Sequence, residues 1–171
     1  KRKLAYIALA GVAISSMLLL RNSGLDVTAY GGQLAVDSFA AYFKFIFLIA
    51  TGLTIGFSVQ YLDVEGEQHG EYYALLLFAT MGMMFMAGGT DLVTLYIGLE
   101  TMAIATYVLV GFLRRSQRSN EASLKYFLLG AFSSGVLLYG LSLLYGLSGS
   151  TDLTEITEFT VTCDDFDADD D

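Results

Sequence analysis

The chain has 171 residues, of which 54% are hydrophobic and 16% are charged, and its mean hydropathy is +0.56. Soluble globular domains carry about 25% charged residues, so this composition excludes an ordinary soluble domain and predicts an integral membrane protein. The formal net charge of -9 arises in residues 152–171, which hold half of the 18 acidic residues and no base. The acidity therefore says nothing about the partners of the remaining chain, and we expect no nucleic-acid partner.

Five apolar runs approach or exceed the length needed to cross a bilayer. A helix needs about 20 mostly apolar residues to span a hydrocarbon core about 30 Å thick. The runs cover residues 4–20, 39–62, 72–89, 92–113 and 124–147. We therefore predict an all-α fold, a polytopic bundle of about five transmembrane helices within residues 1–151. Residues 152–171 are expected to form a disordered acidic tail.

The basic residues predict how the bundle is oriented. Three bases precede the first run and three arginines separate the fourth run from the fifth, whereas the opposite loops contain only Arg21. Short cytoplasmic loops are enriched in Lys and Arg. We therefore expect a multi-pass protein of the cell's inner (plasma) membrane. Its N-terminus should lie in the cytoplasm, and the segment after Gly149 should lie on the outer side of the membrane.

Small and basic residues in the second and fifth runs have structural interpretations. Lys44 lies a short way into the second run, where its long side chain is expected to reach the membrane interface. Gly52 with Gly56, and Gly130 with Ser134, have the spacing that lets membrane helices approach closely. We assign these four small residues to helix packing.

Glu100 is the only charged residue in the run 92–113. An ionised group at that depth costs at least about 2.5–3.5 kcal/mol on insertion scales, and such groups usually face a protein interior or a water path. Helical periodicity places Tyr96, Ala103 and Tyr107 on the same face. Burial disfavours the carboxylate and a nearby cation favours it, so a movable cation or changing hydration could make Glu100 load and release a proton. The alternative is a structural salt bridge, or a protonated glutamate that holds helices together.

Lys125 lies near the start of the fifth run, four residues after Glu121. One interpretation is an exposed ion pair between these two residues, of the i,i+4 type. The other is a proton relay near the cytoplasmic mouth of the bundle. The residue chemistry alone leaves both open.

Metal and cofactor sites are not expected in this chain. Its one cysteine, Cys163, cannot supply the four thiolates that hold an iron–sulfur cluster or a zinc ribbon. Its one histidine, His69, lies in a polar stretch and is expected to be a solvated loop residue. We therefore predict no redox centre and no metal ligand.

The segment from Glu71 to Leu153 carries the most specific pattern of the chain. It reads EYYALLLFATMGMMFMAGGTDLVTLYIGLETMAIATYVLVGF and then LRRSQRSNEASLKYFLLGAFSSGVLLYGLSLLYGLSGSTDL. It resembles subunit N of the proton-pumping NADH:quinone oxidoreductase, respiratory complex I. The combination of GLE, which contains Glu100, with EASLKYFLLGAF, which contains Lys125, separates subunit N from the related M and L subunits and from cation/proton antiporters. The match extends more weakly back to the first run.

The resemblance implies a membrane-arm subunit with an antiporter-like fold, which couples quinone reduction elsewhere in the complex to proton movement. Glu100 matches the intramembrane glutamate of the family and Lys125 the lysine of the next helix, both members of a chain of buried titratable groups. NADH, flavin, iron–sulfur clusters and quinone would belong to other parts of the complex. The lipid bilayer and the other membrane subunits would be the partners of this chain.

The chain resembles the second to sixth helices of the family and then departs from the pattern. Its end, TEFTVTCDDFDADDD, does not resemble the expected next helix, which is discontinuous and bears the lysine partner of the glutamate. We therefore expect a fragment, a split-gene product completed by a second chain, or a frame-shifted end, inactive alone. Two alternatives stay open: a subunit of a related sodium/proton antiporter, and a structural fragment that conducts nothing.

Overall fold

A computed structural model of the chain describes residues 2–22, 24–65 and 70–168. These residues form six α-helices, two short strands and one 3-10 turn. In chain order the elements are α1 (Arg2–Asn22), β1 (Val27–Ala29), the 3-10 turn (Tyr30–Gly32), β2 (Leu34–Val36), α2 (Ser38–Glu65), α3 (Gly70–Gly88), α4 (Leu92–Val110), α5 (Gln117–Ser148) and α6 (Leu153–Ala168). Within the described ranges, α1 to α5 are long and apolar enough to cross a membrane. The predicted all-α membrane bundle is confirmed.

The first three helices share one apolar core. Its buried members are Ala5, Ala8 and Val12 of α1, Leu48, Ile55 and Leu62 of α2, and Tyr73 of α3. The residues from α1 have small side chains, which let helices pack closely where lipid provides no hydrophobic drive for association. Many large apolar side chains on the outside of the bundle are exposed, as expected for a surface that faces lipid or other membrane proteins.

Helices α3 and α4 approach each other closely at two glycines. A Cβ atom added to Gly82 would lie 2.5 Å from the carbonyl oxygen of Gly98, and one added to Gly98 would lie 2.9 Å from the carbonyl oxygen of Gly82. At Gly52 and Gly56 the described helices do not approach as closely as the spacing allows. Gly52 makes only an ordinary contact, at 3.7 Å from Val12, and the space beside Gly56 is open to 4 Å. Spacing alone did not indicate which glycines face a neighbouring helix.

Backbone hydrogen bonds join three loops at one end of the bundle. β1 and β2 form an antiparallel hairpin, and the N–H of Thr90 donates to the carbonyl of Gln33 at 3.1 Å. The N–H of Leu92 donates to Thr151 at 2.8 Å, and that of Leu153 donates to Thr90 at 3.0 Å. We call these segments, residues 27–36, 89–92 and 150–153, the loop belt. The connections α1–α2, α3–α4 and α5–α6 therefore lie at the same end, as alternating spans require.

Residues 153–168 form helix α6, which corrects the expectation of a disordered tail throughout residues 152–171. Gly149 ends α5 with a left-handed backbone (φ 73°), and the Asp152 carboxylate accepts the N–H of Thr154 at 2.7 Å at the start of α6. Hydrogen bonds from the backbone and side chain of Thr154 hold the pKa of Asp152 below its ordinary value, because they favour the carboxylate. Glu155 adds a negative charge in the first turn, where the helix dipole favours it. The net acidity of this segment favoured disorder, whereas Asp152 and Glu155 at its start favour a helix.

Candidate functional site

The helix that carries Glu100 is fixed at its start by Asp91. This residue is 6% exposed, and its Oδ1 accepts the N–H groups of Val93 at 2.8 Å and Thr94 at 3.2 Å. Its Oδ2 accepts the hydroxyl of Thr151 at 2.5 Å. The Asp91 carboxylate therefore caps α4 and ties the start of α4 to the segment before α6.

Two faces of α4 meet different neighbours. Gly98 faces α3, as its contact with Gly82 shows, whereas Tyr96 lines a cleft of about 320 Å³ together with Leu138 and Leu141 of α5. At 3.6 residues per turn, Glu100 lies on the same side as Tyr96. The stripe predicted from the sequence is thus the α5-facing side of α4.

Glu100 has one buried carboxyl oxygen. Its Oε1 is inaccessible to solvent and has no hydrogen-bond partner among the described residues, although the residue as a whole is half-buried. The carboxyl also lies near enough to Tyr107 for an electrostatic interaction. A buried polar atom without a partner costs about 1–3 kcal/mol, so most such atoms have a structural or functional reason.

Tyr107 contacts α5 through its ring, its hydroxyl and its backbone carbonyl. Its ring packs edge-on against Tyr126 at 4.9 Å and against Phe127 at 5.8 Å between centroids. Its hydroxyl occupies the space where a side chain at Gly130 would lie. Its carbonyl accepts the hydroxyl of Ser123 at 2.9 Å. Sequence reasoning identified Gly130 as a small packing residue and missed its tyrosine partner, which lies on a different helix.

Lys125 forms the exposed ion pair that its spacing allows. Its Nζ lies 2.5 Å from Oε1 of Glu121, and the two side chains are 70% and 61% exposed. Lys125 precedes Gly130 by five residues and Glu100 precedes Tyr107 by seven. Because α4 and α5 run antiparallel through the Tyr107–Gly130 contact, Glu100 and Lys125 are separated by roughly 18 Å along the bundle. The structure does not bring these two candidates together.

The sequence predicted no metal ligand, at His69 or elsewhere. His69 lies outside the described residues. The part of the chain that the structure describes contains no group of three or more His, Cys, Asp or Glu residues that could hold a metal ion.

The chain is similar to subunits of one respiratory enzyme. Residues 87–167 match the family model described as NADH:quinone oxidoreductase/Mrp antiporter, TM. NADH-quinone oxidoreductase subunit N 1 of Koribacter versatilis is 52% identical over 166 residues, which cover 91% of this chain and 32% of the relative. Subunit N 2 of Solibacter usitatus is 57% identical over 138 residues, which cover 81% of this chain and 28% of the relative.

A solved structure shares the fold as well. One chain of respiratory complex I from Thermus thermophilus with bound aureothin superimposes with a TM-score of 0.75 at 32% identity, covering 89% of this chain and 33% of that chain. The present chain thus spans about a third of the length of the curated relatives it matches. It is homologous to a segment of NADH-quinone oxidoreductase subunit N, and its residues 87–167 match the transmembrane family model that also describes Mrp antiporters.

Proposed function

We propose that this chain is part of subunit N of a proton-translocating NADH:quinone oxidoreductase in the cell's inner (plasma) membrane. The proposal is supported by the similarity to subunit N along nearly the whole chain and by the five helices, among the described residues, that are long and apolar enough to cross a membrane. Its partners are the other membrane subunits of the complex and the lipid bilayer. NADH, flavin, iron–sulfur clusters and quinone bind in other parts of that complex.

Glu100 is the proton-accepting group in this proposal. The observation that carries it is the buried Oε1, which has no hydrogen-bond partner among the residues that the structure describes. A glutamate that served only as a structural link would be expected to use its buried oxygen in a hydrogen bond or ion pair. When the surroundings favour the charged form, the carboxyl releases its proton to water, and when they disfavour it, the carboxylate takes a proton back.

Lys125 is the proposed relay on the cytoplasmic side. Its support is its position near the start of α5, close to the arginine-rich loop. In this role the ammonium gives a proton to water that leads towards Glu100, and the amine is recharged from the cytoplasm. The distance between the two groups means that water or further residues must connect them.

The proposal is tested by Glu100→Gln in the assembled complex, with protons translocated per electron as the readout. Gln has nearly the same size but cannot exchange a proton, so we expect proton translocation to fall while NADH is still oxidised. Glu100→Asp keeps the carboxyl on a shorter side chain and should be milder. Thr101→Val is a matched control, because the Thr101 hydroxyl donates to the carbonyl of Ile97 in its own helix. Unchanged translocation in Glu100→Gln would remove the proposed role.

A second candidate is a subunit of a sodium/proton antiporter. It is favoured by the family description, which names Mrp antiporters beside NADH:quinone oxidoreductases. The two functions differ in their driving force. Proton movement that requires NADH and quinone supports the oxidoreductase, whereas movement driven by a sodium gradient alone supports the antiporter.

A further inference from the structure

Lys44 lies on the face of α2 that packs against the rest of the bundle. This face is formed by positions that follow one another at intervals of three or four residues. Its buried members are Ala40, Leu48, Thr51, Ile55, Ser58 and Leu62. Lys44 takes the position between Ala40 and Leu48 in this series, and it is half-buried. The sequence predicted that the Lys44 side chain reaches the membrane interface. It did not predict that Lys44 lies on the face of α2 that packs against the bundle.

The ammonium of Lys44 fits a notch left by Gly88. A Cβ atom added to Gly88 would lie 2.8 Å from Nζ and 3.4 Å from Cε of Lys44, and 2.9 Å from the carbonyl oxygen of Ala35. The Lys44 ammonium is therefore bordered by Gly88 at the end of α3 and by the carbonyl of Ala35 in β2, and neither carries a charge. Asp37, just before α2, is the acid that interacts with it electrostatically. Asp37 is held in place by accepting the N–H of Ala40 at 2.6 Å.

Hydroxyl pairs follow Lys44 along the interface of α2 and α3. Thr51 and Thr80 are joined at 2.6 Å in a buried contact, and Ser58 and Tyr72 at 3.1 Å. The α2 members of this line, Lys44, Thr51 and Ser58, are spaced seven residues apart, which is about two turns. Leu48 and Ile55 form apolar layers between the polar pairs. The polar line thus lies between α2 and α3, whereas Glu100 lies on the far side of α4.

We propose that Lys44 is a second proton-exchanging residue, located at the loop-belt end of the α2–α3 interface and separate from the site of Glu100. This inference rests on the proposed function in proton translocation. In the exchange, a proton of the ammonium passes to water at the loop belt beside the Asp37 carboxylate and leaves a neutral amine. A hydronium ion that reaches the amine past Leu48, from the Thr51–Thr80 side, restores the ammonium. One proton is moved, and no other bond changes.

The test replaces Lys44 by Gln, Arg and His in the assembled complex and measures protons translocated per electron across a range of pH. Gln removes the titrating group and Arg keeps the charge but stays protonated at every working pH, so both should lose translocation. His exchanges protons at a lower pH than lysine, so it should restore translocation with a pH profile displaced to lower pH. A residue that only positions its neighbours would be rescued by Arg and would not displace the profile. Full translocation in either Lys44→Gln or Lys44→Arg would overturn the proposal.

Two comparisons keep this result separate from the proposed function itself. Glu100→Gln is measured in the same complex: if translocation survives in that variant, the role of Glu100 fails whatever Lys44 does. If Glu100→Gln loses translocation and the Lys44 variants keep it, only the role of Lys44 fails. Gly88→Ala fills the notch without changing charge and is expected to reproduce the loss seen with Lys44→Gln. NADH oxidation and subunit assembly are measured alongside, and both should persist in the Lys44 variants.

Discussion

The hydroxyl of Tyr107 lies against the backbone of Gly130, in the space that any larger residue at position 130 would fill. This contact joins α4, which carries Glu100, to α5. Gly130→Ala should therefore push the ring out of place and destabilise the protein by about 1–3 kcal/mol, the usual cost of overpacking. The free energy of unfolding in detergent measures the effect.

Gly135→Ala is the matched control for this prediction. It lies in the same helix with open space around it, so it should gain stability by up to about 1 kcal/mol from the better helix propensity of alanine. Tyr107→Phe removes the hydroxyl, and adding it to Gly130→Ala should recover part of the lost stability. Equal effects of alanine at positions 130 and 135 would contradict the contact.

Replacing a glycine between α3 and α4 should lower the free energy of unfolding more than Gly130→Ala does. In Gly82→Ala the new methyl group would lie 2.5 Å from a backbone carbonyl of Gly98 and 2.6 Å from the backbone nitrogen of Met102, neither of which can rotate away. We expect α3 and α4 to separate, with a loss at or above the upper end of the overpacking range of about 1–3 kcal/mol. Gly56→Ala, which has nothing within 4 Å, should be tolerated in the same unfolding assay.

The buried hydroxyl pair of Thr51 and Thr80 can be measured by a double-mutant cycle. Thr51→Val, Thr80→Val and the double variant isolate the coupling between the two hydroxyls, which lie 2.6 Å apart. Interhelical hydrogen bonds of membrane proteins are worth about 0.6 kcal/mol on average and about 1.7 at most, so the coupling should fall in that range. The Thr54 hydroxyl bonds to Ala50 of its own helix, and Thr54→Val should show no coupling to position 80.

Removing the Asp91 carboxylate should destabilise the loop belt. Asp91→Ala removes a helix cap, which costs about 0.5–2 kcal/mol, and also removes the acceptor of the Thr151 hydroxyl. Backbone amides of Val93, Thr94 and Leu153 should exchange their hydrogens faster in this variant. Asp26 is exposed in the loop between α1 and β1, so the same exchange rates should be unaffected in Asp26→Ala.

The start of α6 should depend on pH. The pKa of Asp152 is lowered in the folded chain from its ordinary 3.8 because Thr154 donates hydrogen bonds to the carboxylate. Its contribution to the helix is therefore complete above about 3.8 and is lost as the pH falls through the lower folded value. Helix content measured by circular dichroism should fall in that acidic window, and this component should be absent in Asp152→Asn, which does not titrate.

The sequence predicted the fold because length and hydropathy determine which segments can cross a bilayer, and turn residues separate them. It also predicted the stripe that contains Tyr96, Glu100 and Tyr107, because a helix repeats every 3.6 residues. These features depend only on neighbours along the chain, where the periodicity of a single helix is sufficient.

Contacts between helices were harder to predict. The Tyr107–Gly130 contact and the Gly82–Gly98 approach depend on which faces meet, and a single sequence does not give the rotation of one helix against another. The same holds for Lys44. Its position along the second span could be read from the sequence, whereas the helix face on which it lies could not. The helix α6 was missed for a different reason, because the acidic composition of the tail outweighed the start signals at Asp152 and Glu155.

The loop belt has a mechanical consequence for the helix that carries Glu100. Thr90 is bonded to Gln33 on one side and to Leu153 on the other, so the first residues of α4 are anchored to two neighbours. A rigid rod held at one end tilts about that end, and displacement grows with distance from the anchor. Any swing of α4 would therefore move Tyr107 about twice as far as Glu100, because they stand 16 and nine residues from Asp91 at about 1.5 Å each.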